Sequence, residues 1–249
     1  MKYFALTHKG LVRERNEDYI LTPVLAEKQG IRCNLARKGH LFIVSDGVGG
    51  HKAGGIASET AARHVLEGWY ANPAERTDTP VRLTELMMEA NEKLLSLAAT
   101  EPAWEGMATT QTALVVKGSS CTIAHIGDSR AYLYRNSLLQ LTEDHSPVWS
   151  RYAEGKVSKD TLRTHPDKHY ISRALGFHPD AEIDILEISP IVSGIFLLCS
   201  DGLTDLLPDR IISQVLSDDG GIEIKGRLLL EMALLAGGPD NISLILIEL

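Results

Sequence analysis

The chain moves between two hydrophobic periodicities. Runs rich in β-branched and aromatic residues occur at 3–7, 41–45, 112–116, 121–126, 131–135, 183–188, 195–200 and 242–248, and each reads as a strand. Short turn-forming links join two pairs of them, VVKGSSCTIA and YLYRNSLLQL, so these pairs are expected to be antiparallel hairpins. Two longer stretches switch to a helical period. In 56–69 the apolar positions are Ile56, Ala57, Ala61, Val65, Leu66 and Trp69; in 81–99 they are Leu83, Leu86, Met87, Ala90, Leu94 and Leu97. Residues 208–217, opening on Pro208, and the Leu- and Ala-rich 222–236 have the same style. The stretch 145–180 fits neither period. It is mixed in charge and rich in His and Pro, which inside a compact domain reads as a functional flap. No repeat or linker-like break divides the chain, so the pattern predicts one α+β domain over 1–249, with packed antiparallel sheets flanked by helices.

At 249 residues and 44% hydrophobic, the chain is long enough to bury a substantial core. The N-terminal MKYFALTHKG turns polar too soon for a signal peptide, and no run is long enough to span a bilayer, so a soluble, unanchored protein with no membrane partner is expected. Cys33, Cys121 and Cys199 are odd in number and lack CxxC spacing; they read as thiols in a reducing, cytoplasmic compartment. A net charge of −8 argues against nucleic acid as a partner. An anionic ligand would therefore need a local reversal of the field.

Candidate chemistry lies in the acids at strand ends. LFIVSDG at 41–47 recurs as IFLLCSDG at 195–202. Either SDG alone reads as a strand-ending turn. Yet both follow runs too apolar for a solvated edge, where an uncompensated carboxylate is costly. Glu17, Asp18, Asp128, Glu143, Asp144 and Asp240 occupy comparable positions. Together they are hard oxygen donors of the kind Mg²⁺ or Mn²⁺ prefers, without the His/Cys set of a zinc site. Gly47, beside Asp46, has no side chain to obstruct a carbonyl that turns towards the same ion.

Seven motifs stand in a fixed order: R-x-x-N-E-D at 13–18, S-D-G-V-G-G-H-x-A-G at 45–54, T-T at 109–110, G-D-S-R at 127–130, T-x-D-H at 142–145, S-D-G-L at 200–203 and D-N-I-S at 240–243. In these the chain resembles the type 2C (PPM) family of metal-dependent protein serine/threonine phosphatases, in particular its compact bacterial members, and the motifs span nearly all of it. The resemblance implies a central sandwich of two antiparallel sheets with helices outside. It implies Asp46, Asp201 and Asp240 on one metal, and Glu17, Asp46 and the Gly47 carbonyl on a second. Asp18 would hold metal-bound waters, Asp144 with Asp201 a third and looser ion, and Arg13 the substrate phosphate. The cofactor would be Mn²⁺ or Mg²⁺, with metal-activated water attacking the phosphoester directly.

The leaving group's proton is open at this level. His51, in the glycine loop, is one candidate general acid and metal-bound water another. His145 is expected to shape its loop, and His165, His169 and His178 to be solvated flap residues. Asp128 and Arg130 are expected to pair or cap turns, and Thr109 and Thr110 to hydrogen-bond beside the metals. The chain departs from the family pattern at Gly55, at His8 and Lys9, and at Ser243, none of them a ligand position. Implied partners are phosphorylated proteins and a cognate serine/threonine kinase in a signalling setting, acted on by a monomer. A pseudophosphatase binding module, or a hydrolase of small phosphomonoesters or phosphotyrosine, are the rival readings.

Overall fold

The computed structural model describes residues 1–49, 53–71, 78–191 and 193–249. The strands are β1 (Lys2–His8), β2 (Asp18–Leu21), β3 (His40–Val48), β4 (Ala108–Thr109), β5 (Gln111–Lys117), β6 (Ser120–Ile126), β7 (Arg130–Tyr134), β8 (Leu138–Gln140), β9 (Asp184–Ile188), β10 (Ile195–Cys199) and β11 (Ile242–Glu248). The helices are α1 (Pro23–Lys28), α2 (Leu35–Lys38), α3 (Ala53–Ala71), α4 (Thr79–Ala98), α5 (Pro147–Ala153), α6 (Lys159–Leu162), α7 (Asp201–Thr204), α8 (Asp209–Ser217) and α9 (Ile222–Leu235). One sheet runs β1-β11-β10-β7-β8 and the other β2-β3-β5-β6-β9, with β4 paired to β3; the pairs are antiparallel.

The layers follow from which strand faces are apolar. On β3, Leu41 and Ile43 pack with Ala57, Val65, Trp69, Leu83 and Met87 of α3 and α4, whereas Phe42 and Val44 face the other sheet. On β10, Phe196 and Leu198 face the sandwich interior while Leu197 and Cys199 pack with Ile212 and Leu229 of α8 and α9. Strands buried on both faces cannot alternate apolar with polar, which is why these runs are continuous. The helical positions singled out in 56–69 and 81–99 are the ones that cover the β3 sheet. Each of the largest buried side chains gains about 1.5–3 kcal/mol from this burial.

The expected hairpins form. Lys117 pairs with Ser120 across Gly118 at φ +59°, and Tyr134 pairs with Leu138. The expected flap contains α5 and α6, too short to register as periodicity, and it is tied down. Arg163 donates to the carbonyls of Thr204, Asp205 and Leu206, and Lys159 pairs with Asp209 at 2.7 Å. Among the described residues no helix is long and apolar enough to cross a membrane.

Candidate metal centre

Antiparallel pairing delivers the acids to one end of the sandwich. β2 begins at Asp18 opposite Asp46 near the end of β3, while β10 runs out just before Asp201 and β11 starts just after Asp240. Arg13, Glu17, Asp46, Gly47, Asp201 and Asp240 line a single cavity of about 700 Å³, joined by Asp128, Asn241, Lys168, His169 and Asp205.

Backbone contacts hold each ligand candidate. The Asp46 amide donates to Thr110 Oγ1 (3.0 Å), and the Asp46 carbonyl accepts from the Thr110 amide (2.9 Å) and from Thr109 Oγ1 (2.8 Å). The two threonines thus stand beside the site, as expected. Asn241 clamps the N-terminal loop: its Oδ1 accepts from the Glu17 amide (2.7 Å) and its Nδ2 donates to the Lys9 and Arg15 carbonyls. Asp18 accepts from Ser200 Oγ (2.8 Å), which itself accepts from the Ser243 amide (3.1 Å). Serine at 243 therefore keeps the backbone link of that position and places its own hydroxyl against Thr7 at 2.7 Å.

Both SDG glycines are required by close approach rather than by a turn. A Cβ on Gly47 would lie 2.0 Å from the Gly54 carbonyl oxygen, and one on Gly202 1.9 Å from that of Asn241. Neither residue has positive φ. Gly54, where the chain reads A-G-G, is needed for the reciprocal reason, because its Cβ would meet the Gly47 carbonyl at 2.7 Å.

Burial, followed by the charges of Asp18, Asp201, Asp128 and Asp240, pushes the Asp46 carboxyl well above the usual range; burial and the charges of Asp128, Asp205, Asp240 and Asp18 do the same to Asp201. Burial also lifts Asp18 to about 6, against the opposing hydrogen bonds from Ser243 and Ser200. Asp128 rises to about 7, again chiefly through burial, with Asp144 adding and Arg130 opposing. Asp18 Oδ1 and Asp201 Oδ1 are buried without a hydrogen-bond partner. A set of hard oxygen donors that repel one another, with carboxylate oxygens left unsatisfied, fits divalent cations. Arg13 stands at the rim, its NH2 donating to Asp240 Oδ2 at 2.7 Å, a bond that raises the guanidinium pKa further.

Several expectations need correction. Asp144 does not offer free oxygens for a looser ion with Asp201. Arg130 grips it through Nε to Oδ1 (2.8 Å) and NH2 to Oδ2 (2.6 Å), and Gln140 donates to Oδ1 (3.1 Å). The cleft that Asp144 shares with Asp201 is about 20 Å³, room for roughly one water. Arg130 therefore pairs with Asp144 rather than with Asp128, and Asp128 is the acid on the main cavity wall with Asp201. His169 is an exposed flap residue, as expected, and its ring offers a nitrogen within 4.8 Å of carboxylate oxygens of Asp201 and Asp205. Asp205, missed from sequence, was signalled by its place one helical turn beyond Asp201. Lys168 reaches it at 2.5 Å. No local pattern signalled the flap residue Lys168. His145 shapes its loop as expected: Nδ1 accepts from the Gly127 amide (2.9 Å), so Nε2 carries the proton and donates to Asp184 (3.0 Å). His51 lies outside the described residues.

An acid-lined cavity ready for cations, with an arginine at its mouth and two antiparallel sheets beneath it, is the architecture of a metal-dependent phosphoester hydrolase. The chain belongs to the protein phosphatase 2C family, whose model matches residues 31–217. It is 35% identical over 245 residues to the serine/threonine phosphatase stp of Listeria innocua, covering 97% of this chain and 93% of that protein. The crystal structure of the Mycobacterium tuberculosis serine/threonine phosphatase PstP/Ppp superposes with a TM-score of 0.86 at 32% identity, covering 100% of this chain and 98% of that one. The PstP catalytic domain in complex with two manganese ions gives 0.84 at 30% identity, covering 99% and 97%.

Proposed function

We propose that this chain is a protein serine/threonine phosphatase that removes phosphate from phosphoserine and phosphothreonine with two divalent ions, Mn²⁺ or Mg²⁺. The observation that carries this is the convergence of Glu17, Asp46, Asp201 and Asp240 on one cavity, with buried unsatisfied carboxylate oxygens below and Arg13 above. Asp46, Asp201 and Asp240 would hold one ion; Glu17, Asp46 and the Gly47 carbonyl would hold the other. When bound, such ions supply Lewis-acid charge stabilisation and an activated water, which removes any need for a protein nucleophile.

The protein's own part is positioning. Thr109, Thr110 and Asn241 fix the backbone at Asp46 and Glu17, so the ligands need little reorganisation. Asp18, anchored by Ser200 on one oxygen, keeps the other for ordering water beside the ions. Arg13 is oriented by Asp240 through one amino group, and its planar fork suits the equatorial oxygens of a transferring phosphoryl group. Asp128, beside Asp201, is the acid available to a third and weaker ion. A cytoplasmic, monomeric enzyme opposing a serine/threonine kinase in signalling completes the reading; the three free thiols support the reducing compartment.

The test is phosphate release from a phosphothreonine peptide with Mn²⁺, with Mg²⁺ and with excess EDTA, alongside Asp201→Asn. Activity that requires metal and disappears in the variant is expected. Activity that survives EDTA, or full activity in Asp201→Asn, would overturn the assignment.

A further inference from the structure

Beside the cavity mouth the chain displays two adjacent large apolar side chains that the fold does not bury. Leu11 is 62% exposed and Val12 69%. The segment carrying them is fastened on both sides. Gly10, at φ +78°, lies so close to the Asp240 turn that a Cβ on it would be 2.1 Å from the Asp240 carbonyl oxygen. The Leu11 amide donates to the Gly238 carbonyl (2.7 Å), and Asn241 grips the Lys9 and Arg15 carbonyls that bracket the segment. Leu11 rests over Gly238, 3.4 Å from where a Cβ would stand, and the next residue, Pro239, lines the cavity. The exposed pair thus leads directly into Arg13, which lines the cavity, and Leu11 packs on the turn whose next residues, Pro239 and Asp240, line it too.

A pinned loop that keeps two apolar side chains in water gives up the stabilisation of burying them unless something covers them in use. The cavity beside them is built for a phosphoryl group on a polypeptide, so that polypeptide is the occupant in reach. We propose that Leu11 and Val12 form an apolar shelf for the substrate chain, selecting phosphoserine or phosphothreonine segments with a large apolar side chain within about two residues of the phosphorylated one. The distance comes from the covalent chain: Leu11 and Val12 are two and one residues from Arg13, at most roughly 7 Å along the backbone, and a substrate residue at the same separation from its phosphoryl group spans the same length. This inference rests on the phosphatase reading and adds the sequence preference.

Two phosphothreonine peptides alike except for Leu or Ser two positions from the phosphothreonine, made in both directions, test it with the parent and with Leu11→Ser/Val12→Ser. The parent is expected to favour the Leu peptide by roughly tenfold in kcat/KM in at least one direction, the size of effect a modest apolar pocket supplies. The double variant is expected to reduce that ratio to about twofold or less. A ratio between two peptides is independent of the folded fraction of the variant. Equal rates in the parent, or a preference unchanged in the variant, would overturn the shelf alone. If the variant changes the parent's sedimentation state, the patch joins two copies of this chain and the proposal fails. Absence of hydrolysis of every peptide would overturn the phosphatase reading and the shelf with it.

Discussion

Removing the metal should make this protein less stable as the solution becomes more alkaline, the reverse of ordinary acid denaturation. In the metal-free cavity the carboxyls of Asp46 and Asp201 sit well above the usual range and that of Asp128 at about 7, with burial the leading cause in each. A carboxyl whose folded pKa exceeds its unfolded value stabilises the fold fully below the unfolded value, and that stability is lost as pH rises through the folded pKa. Buried histidines act in the opposite direction. His125, lowered to about 3 by burial, and His145, lowered chiefly by burial, stay neutral when folded but charge on unfolding. Their effect raises stability with pH only up to the unfolded histidine value of about 6.5. Between pH 6.5 and 8 the carboxyls are therefore left to set the slope.

Each carboxyl that keeps its proton in the folded state costs about 1.4 kcal/mol of stability per pH unit. With Asp128 at about 7 and Asp18 at about 6, urea unfolding in EDTA should show a loss of about 1 kcal/mol over that window from these two groups, which any proton kept by Asp46 or Asp201 deepens. Saturating Mn²⁺ ionises the ligands, flattens the slope and, at a hundred times its dissociation constant, adds about 2.7 kcal/mol. Asp46→Asn removes one acid from the cluster. In EDTA at pH 8 it should be more stable than the parent, and it should gain little from Mn²⁺. Parent stability that rises from pH 6.5 to 8 in EDTA would refute the electrostatic reasoning, as would an Asp46→Asn variant weaker than the parent under those conditions.

Arg130→Met should cost about 3–5 kcal/mol in urea unfolding, because it strands Asp144 at 10% side-chain exposure; adding Asp144→Leu should recover most of the loss. Gly202→Ala should cost about 1–3 kcal/mol and weaken Mn²⁺ binding measured by calorimetry, since its Cβ would displace the Asn241 backbone and with it the side-chain oxygen that holds the Glu17 amide; unaltered binding would show that the clamp is slack. Arg13→Ala should lower kcat/KM on a phosphothreonine peptide roughly 100-fold, and a loss under threefold would remove Arg13 from phosphate recognition.

What was legible in the sequence depended on how far each signal reached. β11 was read as Ile242–Glu248 to the residue, since a strand buried on both faces is a continuous apolar run. β2 is not among the predicted strands because its four residues, Asp18–Leu21, carry too little pattern, yet it places Asp18 across from Asp46. The role of Asp144 was misread for a different reason. Its partner Arg130 lies on β7, and only the pairing of tertiary neighbours decides whether an acid faces an ion or a guanidinium. Tertiary placement likewise decides that His169, exposed on the flap as expected, comes near Asp201 and Asp205 from more than thirty residues away in the chain.

The repeated SDG shows how one phrase serves two local structures. At 45–47 the chain stays extended, and β3 continues to Val48; at 200–202 the serine stands just before α7, its hydroxyl given to Asp18, and the aspartate opens the helix. Backbone conformation is therefore not what the two copies share. They share crowding, because behind each aspartate another main chain passes where a side chain would be, Gly54 in one case and Asn241 in the other. Each crowding backbone also serves the acids: Gly54 lies against the Glu17 carboxylate, where its own Cβ would come within 3.2 Å of Cδ, and Asn241 holds the Glu17 amide. The glycines let two separate chain segments close on Glu17, so the carboxylates converge although the strands that carry them lie in different sheets. A substitution at either glycine should therefore register in metal affinity as well as in stability, a coupling that a simple turn glycine would not show.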